Sequence, residues 1–540
     1  MAPPRRRGRL REERGQLFAP ALGVLAVAML VPLVLAMVQG DERSARAFLY
    51  AGLFTAFAAG ILGVALQGRA ASVGPQMELA TLLAGWLAIP VFAAIPLVLL
   101  TPSIGWLGAW FEMVAAFTTT GSTIYLDPAR VPDPVHLWRG IVAWLGGLVT
   151  LLAAYAILAP RRLGGFEVRT HSGDDNDAAA GPVRLAELTA RTPGIDERLR
   201  RAIRAILPVY ASLTLAFFLL SGALAELDLD LAVHVLGTVS TSGISAGAPG
   251  APAFPNVGVE MLATVFLVLA ATARLYGNAS PVGRTVRLSR DPELRLLALI
   301  VAAATLALFL RHWLGALSQV GGESGIDAIE AFWGIAFTTL SFLTTTGYEA
   351  ASWESARAWA GLSNPTLMLL ALAAIGGGAA TTAGGIKLIR AAALIRHGLR
   401  EIDRLAQPNV VGGSGTGVSA GMRGVVGEGA FLGWAFIMLF AGAVCVVVLG
   451  LAVSGLAFEP ALVAAISAIS NTGPVFGMVA PGHESYALLD GPQRVWLALG
   501  MVLGRMETLA VVALFRRDAL LSLLPQRKRG GKEQGRAPHS

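Results

Sequence analysis

The chain has 540 residues, of which 55% are apolar and only 14% charged, against about 25% charged in an ordinary soluble domain. The apolar residues fall in runs of about 20, the length that crosses a hydrocarbon core of roughly 30 Å. This excludes an ordinary soluble enzyme and also an outer-membrane barrel, whose strands alternate over about 10 residues. The net charge of +7 comes with arginines placed between the runs, where they set topology rather than bind nucleic acid.

The first 16 residues carry Arg5, Arg6, Arg7, Arg9, Arg11 and Arg14. The apolar run that follows, 17–38, exceeds the roughly 7–15 apolar residues of a signal peptide and predicts a retained span with its N-terminus inside. Further runs at 48–68, 78–100, 136–159, 203–225, 257–276, 293–316, 364–380, 428–457 and 493–515 bring the expected spans to ten. Ten spans place the basic gaps 160–204, 273–295 and 387–427 and the basic C-terminal tail on one side. By the positive-inside rule both termini are then cytoplasmic. HSGDDNDAAAGP (171–182) reads as a flexible cytoplasmic linker without calcium-loop spacing. The lone Cys445 lies in an apolar run and reads as a small helix residue.

Four intervals between spans break the pattern. Each holds a short, moderately apolar stretch, a Thr/Ser-Gly cluster and a polar exit. The clusters are FTTTGST (117–123), VSTSGIS (239–245), FLTTTGY (342–348) and AISNTGP (468–474). Their central glycines, Gly121, Gly243, Gly347 and Gly473, are spaced 122, 104 and 126 residues apart. Such recurrence indicates one unit used four times: span, re-entrant half-helix, glycine turn, span. A half-helix ending inside the membrane leaves its last carbonyls unpaired and partly negative. Four such ends on one axis favour a cation. The extended segments beyond them can turn backbone carbonyls inward, replacing the hydration shell of a potassium-sized ion. Glycine supplies the backbone shape, and Thr and Ser hydroxyls satisfy neighbouring groups or add ligands.

With these clusters, and with GGGAATTAGGIKLIR (376–390) and LGRMETLAVVALF (503–515), the chain resembles the Trk/Ktr/HKT superfamily of potassium transporters, most of all the bacterial Trk-type transport subunit, over residues 20 to 517. The resemblance implies an all-α polytopic membrane protein. Four pseudo-repeated helix, re-entrant loop, helix units would surround a central pore, preceded by two extra helices. The corresponding divisions are 1–73 (cytoplasmic N-terminus and two helices), 74–160 (unit 1), 161–195 (linker), 196–280 (unit 2), 281–405 (unit 3, broken second helix), 406–517 (unit 4) and 518–540 (basic tail).

The resemblance also implies a selectivity filter built from Thr119, Thr120, Gly121, Thr241, Ser242, Gly243, Thr345, Thr346, Gly347, Asn471, Thr472 and Gly473, with K+ as the transported ion and no cofactor bound by this chain. It implies a homodimer in the cytoplasmic (inner) membrane. A separate cytoplasmic nucleotide- or NAD-binding regulatory subunit would gate the pore, since the chain carries no Rossmann domain of its own. One glycine per unit implies looser discrimination among potassium, rubidium and sodium than a longer glycine filter gives. Gly121 stands where some plant relatives carry a sodium-passing Ser, which favours potassium. A less selective Na+/K+ pore or an H+/Na+-coupled symporter of the same superfamily is the alternative.

The stretch containing Gly376, Gly377, Gly378, Gly384, Gly385 and Lys387 interrupts what would be one helix. It reads either as close packing of small residues or as a flexible intramembrane gate below the filter, which the resemblance favours. It ends GGIK and follows no strand, so it is not a phosphate loop. Arg505 and Glu507 are the charges in the interior of the last span. Two residues apart on a helix, they meet different partners. By resemblance Arg505 faces the pathway and repels a cation, with Glu507 the weaker candidate. Asp127 and Glu349 are candidate outer-mouth charges or plain loop charges, and His234 a packing residue or a coupling site. Gly243–Gly247 matches GxSxG around Ser245 but lacks the strand and partners of a nucleophile elbow. HExxH is absent, and four filter-like repeats, rather than two, argue against an organic-solute transporter.

Overall fold

The computed structural model describes residues 18–66, 75–161, 194–247, 252–279, 291–316, 325–359, 366–406, 420–479 and 485–514. The N-terminal arginines, the linker 171–182 and the tail from Arg516 onward lie outside the described residues.

The first apolar run forms α1 (Phe18–Ala28) and α2 (Leu30–Gln39), together one 22-residue apolar stretch. It stops at Gly40, left-handed at φ 73°. Asp41 then restarts the chain, its carboxylate accepting from Ser44 N at 3.0 Å, and opens α3 (Glu42–Leu66). Ser, Asp and Asn at such positions satisfy the free N–H groups of a new helix.

Four sets of helices follow. The first is α4 (Pro75–Ala93) with α5 (Ile95–Leu100), the short α6 (Gly105–Phe117), and α7 (Asp133–Ala153), which continues through a π turn to Leu158. The second is α8 (Ile195–Gly222), the short α9 (Leu229–Ser240) and α10 (Val257–Ala270). The third is α11 (Pro292–Ala316), α12 (Gly325–Leu343), α13 (Trp353–Trp359), and α14 (Thr366–Ile375) followed by α15 (Leu388–Ala406). The fourth is α16 (Ala420–Val453), the short α17 (Phe458–Ser470), α18 (Pro474–Val479), α19 (Gly491–Met506) and α20 (Thr508–Leu514). Among the described residues every regular element is helical.

Polar side chains start these helices where the sequence provides them. Asp228 accepts from Leu231 N at 2.7 Å ahead of α9, and Asn256 from Val259 N at 2.9 Å ahead of α10. Asp490 and Gln493 form a reciprocal capping box on α19.

Among the described residues, seven stretches are long and apolar enough to cross a membrane: 18–39, 42–66, 76–100, 133–158, 195–222, 293–311 and 433–453. The other three expected spans are shorter or interrupted. The run 257–276 is helical only to Ala270 before a tighter turn over Ala273–Ala279. The run 364–380 breaks after Ile375. The last run was expected as one helix, but it breaks at Glu507, a non-glycine residue at φ 59°. The Glu507 carboxylate is drawn to Arg390 Nη2 at 2.8 Å, and its carbonyl accepts from Ala510 N at 2.9 Å to begin α20.

Polarity is arranged as a lipid environment requires. Phe54, Phe57, Ile61 and Val64 of α3 and Leu449 and Val453 of α16 point outward, as does Cys445, because hydrocarbon solvates them as well as protein does. The four short helices α6, α9, α12 and α17 fill the centre, and the residues at their C-terminal ends are buried. Gly504 lets α19 press on the end of α17, where a Cβ would overlap the Ile469 carbonyl oxygen.

Candidate functional site

Each short central helix ends the same way. One or two residues beyond it the backbone turns left-handed, at Thr119 (φ 52°), Thr241 (53°), Thr345 (60°) and Asn471 (54°). The next N–H reaches back five residues: Thr120 to Ala115 O at 2.8 Å, Ser242 to Gly237 O at 2.8 Å, Thr346 to Ser341 O at 2.9 Å and Thr472 to Ser467 O at 3.0 Å. The left-handed residue itself bonds three back, at 2.9, 3.1, 3.1 and 3.2 Å in chain order. This paired closure normally carries glycine. Placing Thr or Asn there costs about 1–2 kcal/mol per residue, a strain that persists only where the surroundings enforce it.

Beyond each cap the chain leaves the helix through the predicted glycine. Gly121, Gly243 and Gly347 lie at φ 75°, 65° and 84°. Gly473 departs from the expectation and is not left-handed. Pro474 follows it, and a residue before proline is pushed to extended geometry. The four glycines meet in a closed cycle. A Cβ on Gly121 would overlap Ser242 O, one on Gly243 would overlap Thr346 O, one on Gly347 would crowd the Pro474 ring, and one on Gly473 would strike Ser122 N and Thr120 O. Each segment therefore touches the next, and the fourth returns to the first, where Gly473 N donates to Thr120 O at 2.6 Å. Every expected Thr, Ser and Asn filter residue is fully buried.

The sequence reading missed a further hydroxyl in each segment. Thr118 Oγ1 lies 2.8 Å from Thr120 Oγ1, Ser240 Oγ donates to Ser242 Oγ at 3.1 Å, and Thr344 Oγ1 lies 3.2 Å from Thr346 Oγ1. In the fourth segment the Ser470 hydroxyl donates to Ser467 O at 3.3 Å instead, and Thr472 Oγ1 to the Ser470 carbonyl at 3.4 Å. The signal was present, since a Thr or Ser precedes the left-handed residue in all four clusters.

Residues 376–387 lie against the cap side of this ring. The excursion closes on its own base: Ile386, Lys387 and Leu388 N–H bond Ala374, Ile375 and Gly377 carbonyls at 3.0, 3.0 and 2.9 Å. The carbonyls at the end of α14 are thereby satisfied, which permits an interruption at membrane depth. Gly376, Ala380, Gly385 and Lys387 have positive φ. Gly377 and Gly378 are needed instead for close approach, the former to the Ala383 side chain and the latter to Ala271 O. The loop reaches the filter caps directly. Thr241 Oγ1 donates to Thr382 Oγ1 at 3.1 Å, Gly384 N donates to Thr345 Oγ1 at 2.8 Å, and a Cβ on Gly384 would overlap Ser470 O. Lys387 Nζ donates to Ala383 O.

Arg505 joins the loop to the first segment. Its guanidinium donates to Thr118 O, to Thr119 Oγ1 and to Thr382 O. Glu507, across the break in the helix, meets Arg390 instead. Arg390, one of the basic residues of the gap 387–427, is buried, pairs with Glu507 at 2.8 Å and lies 3.7 Å over the Phe436 ring. A small cavity opens beside this loop, lined by Trp86, Thr381, Gly384, Lys387, Arg505 and Glu507 among others.

Beyond the glycines, Tyr348 Oη donates to Ile244 O at 2.8 Å and Tyr486 Oη to Gly473 O at 2.9 Å. His234 Nε2 lies 3.2 Å from Ser245 Oγ and Nδ1 2.7 Å from Asp230 O. A backbone carbonyl orients the ring, not a carboxylate, and Phe254 and Tyr348 pack on it, so the pair is not a hydrolytic dyad with a third member. Asp127 pairs with exposed Arg130 at 2.8 Å, and Glu349 is half-buried. Among the described residues no cluster of His, Cys, Asp or Glu is suited to a metal ion. The filter offers neutral carbonyl and hydroxyl oxygens, the donor set that suits a weakly hydrated monovalent cation.

Residues 256–522 match the family model TrkH, described as cation transport protein. The Trk system potassium uptake protein TrkI of Halomonas elongata is 30% identical over 502 residues, covering 91% of this chain and 93% of that protein. The chain belongs to the TrkH family of cation transport proteins. Among other relatives, the Trk system potassium uptake protein TrkH of Escherichia coli K12 is 27% identical over 440 residues, 80% of this chain and 83% of its own. The crystal structure of the potassium transporter TrkH from Vibrio parahaemolyticus superposes with a TM-score of 0.74 at 24% identity, covering 93% of this chain and 98% of that one. The TrkH-family fold, an all-helical multi-pass membrane protein, therefore extends across nearly the whole chain.

Proposed function

We propose that this chain is the membrane subunit of a potassium-uptake system and that potassium crosses through the ring formed by Thr119–Gly121, Thr241–Gly243, Thr345–Gly347 and Asn471–Gly473. The observation that carries this reading is the cyclic contact of four filter segments, each leaving a helix through the same strained left-handed cap. Four helix C-termini bring partial negative charge to one place, and the segments offer oxygens without a carboxylate. Residues 376–387 act as the gate, because opening the path requires them to release Thr241 and Thr345. Arg505 holds that gate shut by bonding Thr118 and Thr382 together, and its charge opposes a cation beneath the filter. The chain works as a homodimer in the cytoplasmic membrane with both termini inside, beside a separate nucleotide- or NAD-binding regulatory subunit. It performs transport and no covalent chemistry.

The test is rubidium and potassium uptake into proteoliposomes carrying the purified protein, with sodium as competitor and with and without an imposed pH gradient. Potassium-preferring flux is expected. Dependence on the pH gradient distinguishes coupled transport from passive conduction. Absence of any cation flux, also after the regulatory subunit is added, overturns the reading.

A further inference from the structure

Two buried charges lie away from the inner plug. Glu112 on α6 and Arg139 on α7 pair at 2.6 Å, and they are 1% and 2% exposed. Each directs a second bond to backbone just past a filter glycine. Glu112 Oε2 accepts from Ile124 N at 2.9 Å, three residues beyond Gly121. Arg139 Nη1 donates to Ser245 O at 3.1 Å, two residues beyond Gly243. The chain Ile124, Glu112, Arg139, Ser245 thus ties the outer end of the first filter segment to that of the second. The Tyr125 ring lies 5.5 Å from the guanidinium, and His136 Nδ1 lies 3.3 Å from Nη1. Ser245 is held from its other side as well, its hydroxyl accepting from Gly247 N at 3.0 Å.

We propose that the Glu112–Arg139 pair is a positioning device that fixes the separation of the first two filter exits and thereby contributes to ion selectivity. The inference rests on the potassium-uptake reading of the same ring. Three considerations support it. Discrimination between cations of similar charge depends on how firmly the coordinating backbone is spaced, and the pair adds a second tie between these two segments beside the approach of Gly121 to Ser242 O. A buried ion pair is seldom the most stable filling for its volume, so its stability alone is a weak reason for placing one here. The pair is also neutral as a whole, so an arginine stands behind a cation path without adding net charge. A buried carboxylate also holds the third exit: Glu260 on α10 accepts from Ala351 N at 2.9 Å, four residues beyond Gly347, and from Trp333 Nε1 on α12 at 2.9 Å.

The experiment compares the full-length wild type with Arg139→Lys, Glu112→Gln and the exchanged double variant Glu112→Arg/Arg139→Glu in proteoliposomes. It reads rubidium uptake under competition by potassium or sodium, per amount of protein that elutes as a single folded species. The exchanged variant keeps an ion pair but has no donor left at position 139 for the Ser245 carbonyl. Its preference for potassium over sodium should fall by about tenfold, the equivalent of one charge-assisted hydrogen bond, with a similar fall for Arg139→Lys and Glu112→Gln. Wild-type selectivity in the exchanged variant would assign the pair to stability alone and overturn the proposal, as would loss of folded protein in all three variants. A wild type without potassium-preferring flux refutes the uptake reading itself, independently of the variants.

Discussion

Arg505 donates to the Thr118 carbonyl oxygen from two of its nitrogens, Nε at 2.8 Å and Nη2 at 2.6 Å. That oxygen belongs to the residue that caps the C-terminal end of α6, the place where a helix most favours a positive charge. A fixed guanidinium therefore occupies a position attractive to a passing cation, and it bonds the Thr382 carbonyl of the loop from the same group.

Replacing Arg505 by alanine removes both the tether and the charge. At an effective dielectric near 20, one unit charge about 4 Å from the path is worth about 4 kcal/mol, and each ~1.4 kcal/mol is a factor of ten. Potassium flux through Arg505→Ala should rise at least about tenfold over wild type in proteoliposomes lacking any regulatory subunit. Unchanged or reduced flux from well-folded protein would remove Arg505 from the gate.

The cyclic contacts make the filter glycines intolerant of a methyl group. Gly243→Ala would place a Cβ onto Thr346 O at a residue with φ 65°. Flux or potassium preference should drop by more than about tenfold. At Gly442 an added methyl group would meet nothing within 4 Å. Gly442→Ala should therefore leave both unchanged in the same uptake assay.

Asn471 separates backbone strain from side-chain bonding. Its Nδ2 donates to Thr120 Oγ1 at 3.1 Å and to Met501 O at 2.9 Å, while its backbone sits at φ 54°. Asn471→Gly loses the bonds and keeps an easy left-handed turn. Asn471→Ala loses both and should be less stable than the glycine variant by about 1 kcal/mol. Thermal unfolding in detergent, compared between the two, reads this difference.

Arg390→Met leaves the Glu507 carboxylate without the guanidinium it meets at 2.8 Å. Uncompensated buried charge costs about 3–5 kcal/mol, so the melting temperature should fall clearly. The double variant Arg390→Met/Glu507→Met should recover most of that loss. A double variant as unstable as the single one would show that the site requires the charges themselves.

The recurrence of the clusters was legible because each cap is a local event. Thr120 bonds Ala115 and Asn471 bonds Ala468, separations of a few residues that leave their mark as a Thr/Ser-Gly pattern in one stretch of chain. The interruption after Ile375 was legible for the same reason, since glycine at Gly376–Gly378 cannot sustain a strong helix. The pairing of Arg390 was not legible because, by position, it follows an apolar run as a topology charge does. Its partner Glu507 stands 117 residues later. The Glu112–Arg139 pair carried no signal either, since nothing in the spacing of 27 residues tells which face of α7 meets α6.

By itself, then, the sequence determined the membrane-spanning class and the fourfold recurrence of the Thr/Ser-Gly caps, because hydropathy, helix capping and turn chemistry act over neighbouring residues. The tertiary structure alone decided that Gly121, Gly243, Gly347 and Gly473 close into a ring, that Gly473, before Pro474, is not left-handed as the other three are, and that Arg505 meets Thr118 across 387 residues. Those relations depend on which buried polar groups find one another once the helices pack, and in a lipid-surrounded core an unpaired group costs too much to be left alone.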